Sequence, residues 1–188
     1  MSIVDTIRNR RSIYDFKPKQ VPKDVIAQIL EPAVWAPNHK LTEPWRFLVI
    51  NGRTKEKLAH IYCKIQRIKT KSEDPAVLEK ATEKGYAKLM GKPTIIGVVC
   101  KKDKDALRAK EDYAAACCAI HNILLTAWER GIGMQWSTSG LINDPESLEL
   151  LQISPVEEEI IGFLYTGYPA KVPERKRVPA SDRTVWFD

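Results

Sequence analysis

Apolar positions recur along this chain first at helical spacing, then at strand spacing, and the two periods switch at identifiable punctuation. Ile3, Val4 and Ile7 follow Ser2, whose hydroxyl suits an N-cap, and predict a short helix ending in the basic segment Arg8 to Ser12. Pro22 suits the first turn of a second helix with Val25, Ile26, Ile29 and Leu30 on its apolar face, and Pro32 should kink or shorten it. The stretch Ala36 to Pro44 is too polar and proline-bounded for a core element and predicts a loop. Arg46 to Asn51 reads as a strand closed by Gly52. Two helical stretches follow, over 53–71 and 75–90, broken at Ser72-Glu-Asp-Pro75. The β-branched run Thr94 to Cys100 predicts a central strand.

The longest helical pattern covers 105–130, and its second half, Tyr113 to Trp128, is apolar nearly all round. Such a helix is buried inside a protein or between subunits. Gly131 suits its C-cap. Ile132 to Thr138 reads as a strand leading into a loop, Asp144-Pro-Glu starts a short helix with Leu148, Leu150 and Leu151, and Ile160 to Tyr165 is a strong strand. From Gly167 on, Pro169, Pro173 and Pro179 predict an extended tail. This order implies an α+β or three-layer plan around a mixed sheet, in one domain covering 1–188.

Composition narrows the function classes. The 188 residues are 44% hydrophobic and 29% charged, ordinary values for a globular protein, and no apolar run is long enough to cross a bilayer. The first residues lack the basic-then-apolar layout of a secretory signal, so a cytoplasmic location is expected. The net charge of +6 raises nucleic acid as a partner. However, Lys64, Arg67, Lys69 and Lys71 alternate with apolar residues and are followed by Glu73 and Asp74, as on a solvated helix face; neither a nucleic-acid nor a membrane partner is expected. Cys63, Cys100, Cys117 and Cys118 match neither a zinc site nor a redox pair and read as small core residues, with no local signature to activate a catalytic thiol.

Four stretches carry candidate chemistry. Arg10-Arg11-Ser12 offers two guanidiniums and a hydroxyl to a phosphate, or simply decorates a helix C-terminus with cations. Pro37-Asn38-His39-Lys40 with Pro44-Trp45 holds a lone histidine, more often structural than catalytic. Gln135 to Gly140 presents backbone N–H groups and hydroxyls at a strand end, or forms a plain turn. Arg175-Lys176-Arg177 is a phosphate clamp or a solvated basic tail.

Taken in order, these stretches resemble the nitroreductase family of FMN-dependent reductases, and its short members most closely. The matching motifs are Arg10-Arg11-Ser12; Ala36-Pro-Asn-His39-Lys40-Leu-Thr-Glu-Pro44-Trp45; Gly131-Ile-Gly133-Met-Gln-Trp136; and Gly167-Tyr168-Pro169 followed by Arg175 to Arg177. The resemblance implies a three-layer α/β/α nitroreductase-like fold, intertwined as a homodimer with FMN at the subunit interface and an extended C-terminal tail around the partner. It implies that Arg10 and Ser12 hold the FMN phosphate and ribityl chain with Arg175 and Arg177, and that Arg11 lies beside them. His39 would reach the flavin from the second subunit, and Trp136, Ser137 and Thr138 would line the ring.

The implied activity passes a hydride from NADPH or NADH through flavin N5 to a nitroaromatic, quinone or similar acceptor. No catalytic side chain and no metal are implied. No Gly-x-Gly-x-x-Gly fingerprint provides a dedicated dinucleotide site. The chain departs from the pattern at Tyr14, where many members carry a cation toward the flavin pyrimidine edge, and at Leu41 and Glu43. The region 53–90 matches no motif. Rival readings are a flavin-dependent dehydrogenase or dehalogenase of one metabolite, a non-catalytic flavin-binding protein, and a basic nucleic-acid binder.

Overall fold

A computed structural model describes residues 2–187; Met1 and Asp188, the outermost residues of the expected domain, lie outside it. Local signals set most element boundaries. Ser2 and Asp5 form a reciprocal capping box, each side chain accepting the other's backbone N–H at 3.2 Å, and start α1 (Ile3–Asn9). Helix α2 (Lys23–Leu30) stops just before Pro32, and the chain tightens into a 3-10 turn, Glu31–Trp35. There the Pro32 carbonyl accepts a bond from Asn122 Nδ2 at 3.0 Å. Strand β1 (Trp45–Ile50) is followed by a hairpin of two helices, α3 (Gly52–Lys69) and α4 (Pro75–Met90), so Gly52 opens a helix at φ +55° rather than closing the strand. Then come β2 (Thr94–Lys101), α5 (Ala106–Glu129), β3 (Gly133–Ser137), α6 (Pro145–Leu150) and β4 (Glu158–Gly167). Aspartates 74, 105 and 144 each cap the helix that follows.

The four strands are ordered β1-β2-β4-β3, and every neighbouring pair is antiparallel. The sheet expected to be mixed is therefore antiparallel in its strands, and its parallel component is an isolated bridge between Ser12 and Met134. Connectivity explains this. The α3–α4 hairpin returns the chain to the end it left, so β2 runs back along β1. The single helix α5 makes β3 parallel to β2, as a lone crossover must, but β4 inserts between them and is antiparallel to both.

The expected three layers are present. On one face Ile96, Val98, Cys100, Met134 and Leu164 pack on α2 and α5; on the other Ile95, Val99, Phe163 and Tyr165 pack on the α3–α4 side. Buried on both faces, β2 is apolar without interruption from Ile95 to Cys100. The apolar second half of α5 divides between core and solvent. Ala115, Ala116, Ala119, Ile120, Ile123 and Ala127 face the core, whereas Tyr113 is exposed. The cysteines follow the same division: Cys63 and Cys100 are buried as expected, but Cys117 is half-buried and Cys118 exposed, because each residue turns about 100° around a helix. No helix among the described residues is long and apolar enough to cross a membrane.

Candidate functional site

Backbone pairing gathers three of the four sequence stretches at one edge of the sheet. Arg10 ends α1, its N–H bonding Thr6 O at 2.9 Å, and the chain then runs extended along β3, where Ile13 N–H donates to Met134 O at 3.0 Å. Farther on, Lys17 N–H donates to Tyr168 O at 2.8 Å and Ala170 N–H to Asp15 O at 3.0 Å. Arg10 to Ser12, Trp136 to Thr138 and Gly167 to Pro169 are thereby brought together. The close approach requires glycine: a Cβ at Gly133 would stand 2.8 Å from Ile13 Cβ and 2.9 Å from Pro169 Cγ. A Cβ at Gly162 would stand 2.6 Å from Trp136 Cδ1, so the indole lies against β4 where a side chain is missing. Trp136 remains 36% exposed, with Nε1 donating to Ile161 O at 3.4 Å.

Positive charge predominates at this edge, although Glu174 lines the same cleft as Arg11 and Arg175. Burial, then the charges of Arg177 and Arg11, pull the Arg10 guanidinium below its ordinary pKa, which places the tail arginine beside the first motif. None of Arg10, Arg11, Arg175 and Arg177 has a carboxylate partner among the described residues. Arg11 serves in part as a helix cap, Nη1 donating to Arg8 O at 2.7 Å and to Arg10 O at 3.0 Å, as the helix-end reading of that motif expects. With Asn9, Trp128, Val172, Arg175 and Lys176 it lines a cleft of about 750 Å³. Ser12 and Thr138 are exposed and Ser137 is half-buried, leaving their hydroxyls available to a ligand. Next to Thr138, Ser139 Oγ is buried without a hydrogen-bond partner. Clustered guanidiniums fit a phosphate, and the hydroxyls of Ser137 and Thr138, next to Trp136 in the chain, are open to polar contacts with a ligand.

His39 is not part of this cluster. It is exposed, in a 3-10 turn over His39–Leu41, and the loop is anchored by Thr42 Oγ1 donating to Asp112 Oδ1 at 2.6 Å, near the start of α5. The arginine edge is anchored at the other end of that helix, where Thr6 Oγ1 donates to Glu129 Oε1 at 2.8 Å. At 1.5 Å rise per residue the anchors are about 25 Å apart, so one chain does not bring His39 to Arg10.

Two features at the site escaped sequence reasoning. Behind the exposed Tyr14, Lys92 is buried: its Nζ donates to Tyr14 O at 2.9 Å and lies 5.1 Å from the Phe16 ring centre. Burial, then neighbouring Lys88, lowers its pKa, while Asp15 opposes the shift. Asp112 is the other. Each is a single charged residue in an otherwise ordinary pattern, and no spacing marks it. Burial raises the thiols of Cys63, Cys100 and Cys117, Cys100 to about 12, which leaves them protonated and poor nucleophiles at neutral pH. No group of three His, Cys, Asp or Glu among the described residues is placed to hold a metal ion.

The chain is thus an α+β protein with a cluster of arginines at one edge of its sheet. Sequence comparison resolves the class further: the chain belongs to the Nitroreductase family, whose profile matches residues 7–168, and is an oxidoreductase of that family. A Bacillus subtilis relative named as an NAD(P)H nitroreductase, YfhC, is 36% identical over 181 residues, covering 95% of this chain and 91% of its own. The solved structure of a nitroreductase-like family protein from Bacillus cereus superposes with a TM-score of 0.83 at 32% identity, over 100% of this chain and 97% of that one. A Bacteroides fragilis nitroreductase with bound FMN gives a TM-score of 0.76 at 25% identity, each chain covered in full (100% and 100%).

Proposed function

We propose that this protein is an FMN-dependent NAD(P)H oxidoreductase acting as a homodimer, and that the β3 edge of the sheet, with Arg10 and Arg177 toward one end and Trp136 toward the other, is its FMN site. The carrying observation is the half-buried Arg10, crowded by Arg177 and Arg11 with no carboxylate to neutralise it. The FMN-bound relative and the NAD(P)H nitroreductase named above support the choice of cofactor and co-substrate.

The chemistry supplied by bound FMN is hydride transfer through N5, from NADPH or NADH to a nitroaromatic, quinone or similar acceptor. Arg10, Arg175 and Arg177 bind the phosphate through charge-assisted hydrogen bonds, and Arg11, held by its own helix carbonyls, keeps that end of the site positive. Ser12 donates to the ribityl chain. Trp136, Ser137 and Thr138 line the ring, and Lys92 adds positive charge behind Tyr14.

His39 reaches the flavin from a second copy, which accounts for its separation from Arg10 within one chain. Ile3, Trp35 and Leu125 line one apolar groove that is open in the single chain, with Trp35 79% exposed, and the second copy covers it.

The test is the visible spectrum of the purified protein before and after anaerobic NADPH, with the released cofactor identified. A yellow protein that releases FMN and is bleached by NADPH is expected. A colourless protein that takes up no added FMN overturns the reading. Bleaching by NADPH without reoxidation by nitroaromatics or quinones would move the function toward a dehydrogenase or dehalogenase of a specific metabolite.

A further inference from the structure

The His39 loop is held in an unfavourable backbone conformation. Lys40, Leu41 and Glu43 have φ of +53°, +53° and +43°, and non-glycine residues stay in that region only where the surroundings over-determine it. Apolar burial does not do so here, since Leu41 is 80% exposed. Within the loop, Glu43 N–H donates to Asn38 Oδ1 at 3.0 Å and Thr42 N–H to His39 O at 3.3 Å. Among the described residues, one hydrogen bond ties residues 38–43 to another element of the fold, and it runs from Thr42 Oγ1 to Asp112 Oδ1 at 2.6 Å.

Asp112 is itself out of place as a packing residue. It is 4% exposed, on the face of α5 that also carries buried Ala115, Ala116 and Ala119. A carboxylate there is disfavoured by desolvation, and an alanine would continue the face. What the carboxylate adds is a short, directional bond, the one hydrogen bond among the described residues that joins the loop to α5.

We infer that Asp112 is a positioning residue: through Thr42 it locks the strained loop so that His39 is presented to the flavin of the second copy. The inference rests on the FMN reading above. It predicts that the hydroxyl–carboxylate bond, rather than the mere presence of side chains at 42 and 112, sets FMN affinity.

The experiment compares the wild-type protein with Thr42→Val, Thr42→Ser and Asp112→Asn, in two measurements. Hydrogen exchange follows the amides of Thr42 and Glu43 in the FMN-free protein, and fluorescence titration gives the Kd for FMN. Thr42→Val keeps the volume and removes the donor. It should lose protection at both amides and raise the FMN Kd about tenfold, the loss of one positioned contact. Thr42→Ser and Asp112→Asn keep a donor and an acceptor and should stay within about threefold of wild type. Unchanged amide protection in Thr42→Val overturns the latch, whatever the affinity does. Lost protection with an unchanged Kd, or equal losses in Thr42→Val and Thr42→Ser, overturns the positioning role. Wild-type protein that takes up no FMN overturns the cofactor reading and with it the role toward flavin; it is distinguished from failure of the latch alone because the exchange measurement needs no flavin.

Discussion

The two ends of α5 carry the two halves of the proposed site, held by opposite means. At the C-terminal end, Arg10, Arg11 and Ser12 are laid against the start of β3 by backbone pairing between distant segments, and their guanidiniums have no carboxylate partner among the described residues. At the N-terminal end, His39 sits in a strained loop held through Thr42 by one buried carboxylate. The first half is electrostatically unfinished and the second is conformationally set. In the proposed dimer the first half takes the ligand, and the second, about 25 Å away along the helix, serves it from the other copy.

The sharpest way to break that comparison is to prevent the two halves from meeting. Replacing Ile3 and Trp35 together by glutamate places charge in the apolar groove they line with Leu125. The doubly substituted protein is expected to sediment as a monomer and to lose FMN binding altogether; a dimer in analytical ultracentrifugation would remove the reason for assigning His39 to the partner's site. The next largest effect is on the unfinished half alone. Arg10→Ala removes a half-buried guanidinium and its charge-assisted bonds, and should weaken FMN about 100-fold in a fluorescence titration. Wild-type affinity in that variant would relocate the phosphate.

A smaller loss tests the backbone approach that gathers the first half. Gly133→Ala would drive a methyl against Ile13 and Pro169, and should lower stability by about 1–3 kcal/mol in urea denaturation. Affinity for FMN should fall with it, because Ser12 is moved off β3. The smallest effect concerns Lys92. Its pKa in the folded chain is depressed below the ordinary lysine value of about 10.4. Between the folded and unfolded values the unfolded chain binds more protons, so this group's contribution to stability is gained as pH rises toward the unfolded value and lost as pH falls through the folded one. Lys55, also buried and depressed, titrates in the same sense. Lys92→Met should flatten the alkaline rise in stability, measured from pH 7 to 10, without abolishing it. An unchanged slope would show that the buried ammonium is not the titrating group.

Much of this was legible in the chain because the signals are local. Capping aspartates before α4, α5 and α6, proline at 32, and the β-branched run of β2 placed elements to within a few residues. The family resemblance implied that Arg10 to Ser12 and Trp136 serve one cofactor, and the structure pairs Ser12 and Ile13 with Met134 at the β3 edge. The inward turn of one face of α5 was not legible. Cys118 was read as core on the apolarity around it, but an apolar stripe that faces outward is written with the same residues as a core stripe. Asp112 and Lys92 were also silent, since a single charge on a helix or before a strand is ordinarily solvated.

By itself the sequence determined most elements, the family and the cationic character of the Arg10 to Ser12 segment, because capping, periodicity and contiguous motifs act over a few residues. The tertiary structure alone decided the antiparallel sheet, through the insertion of β4 between β2 and β3. It also decided the separation of His39 from Arg10, the exposure of Cys118, and the burial of Asp112 and Lys92. Each of these depends on which distant segments pack together, and the free energy of that choice is spread over contacts between residues far apart in the chain.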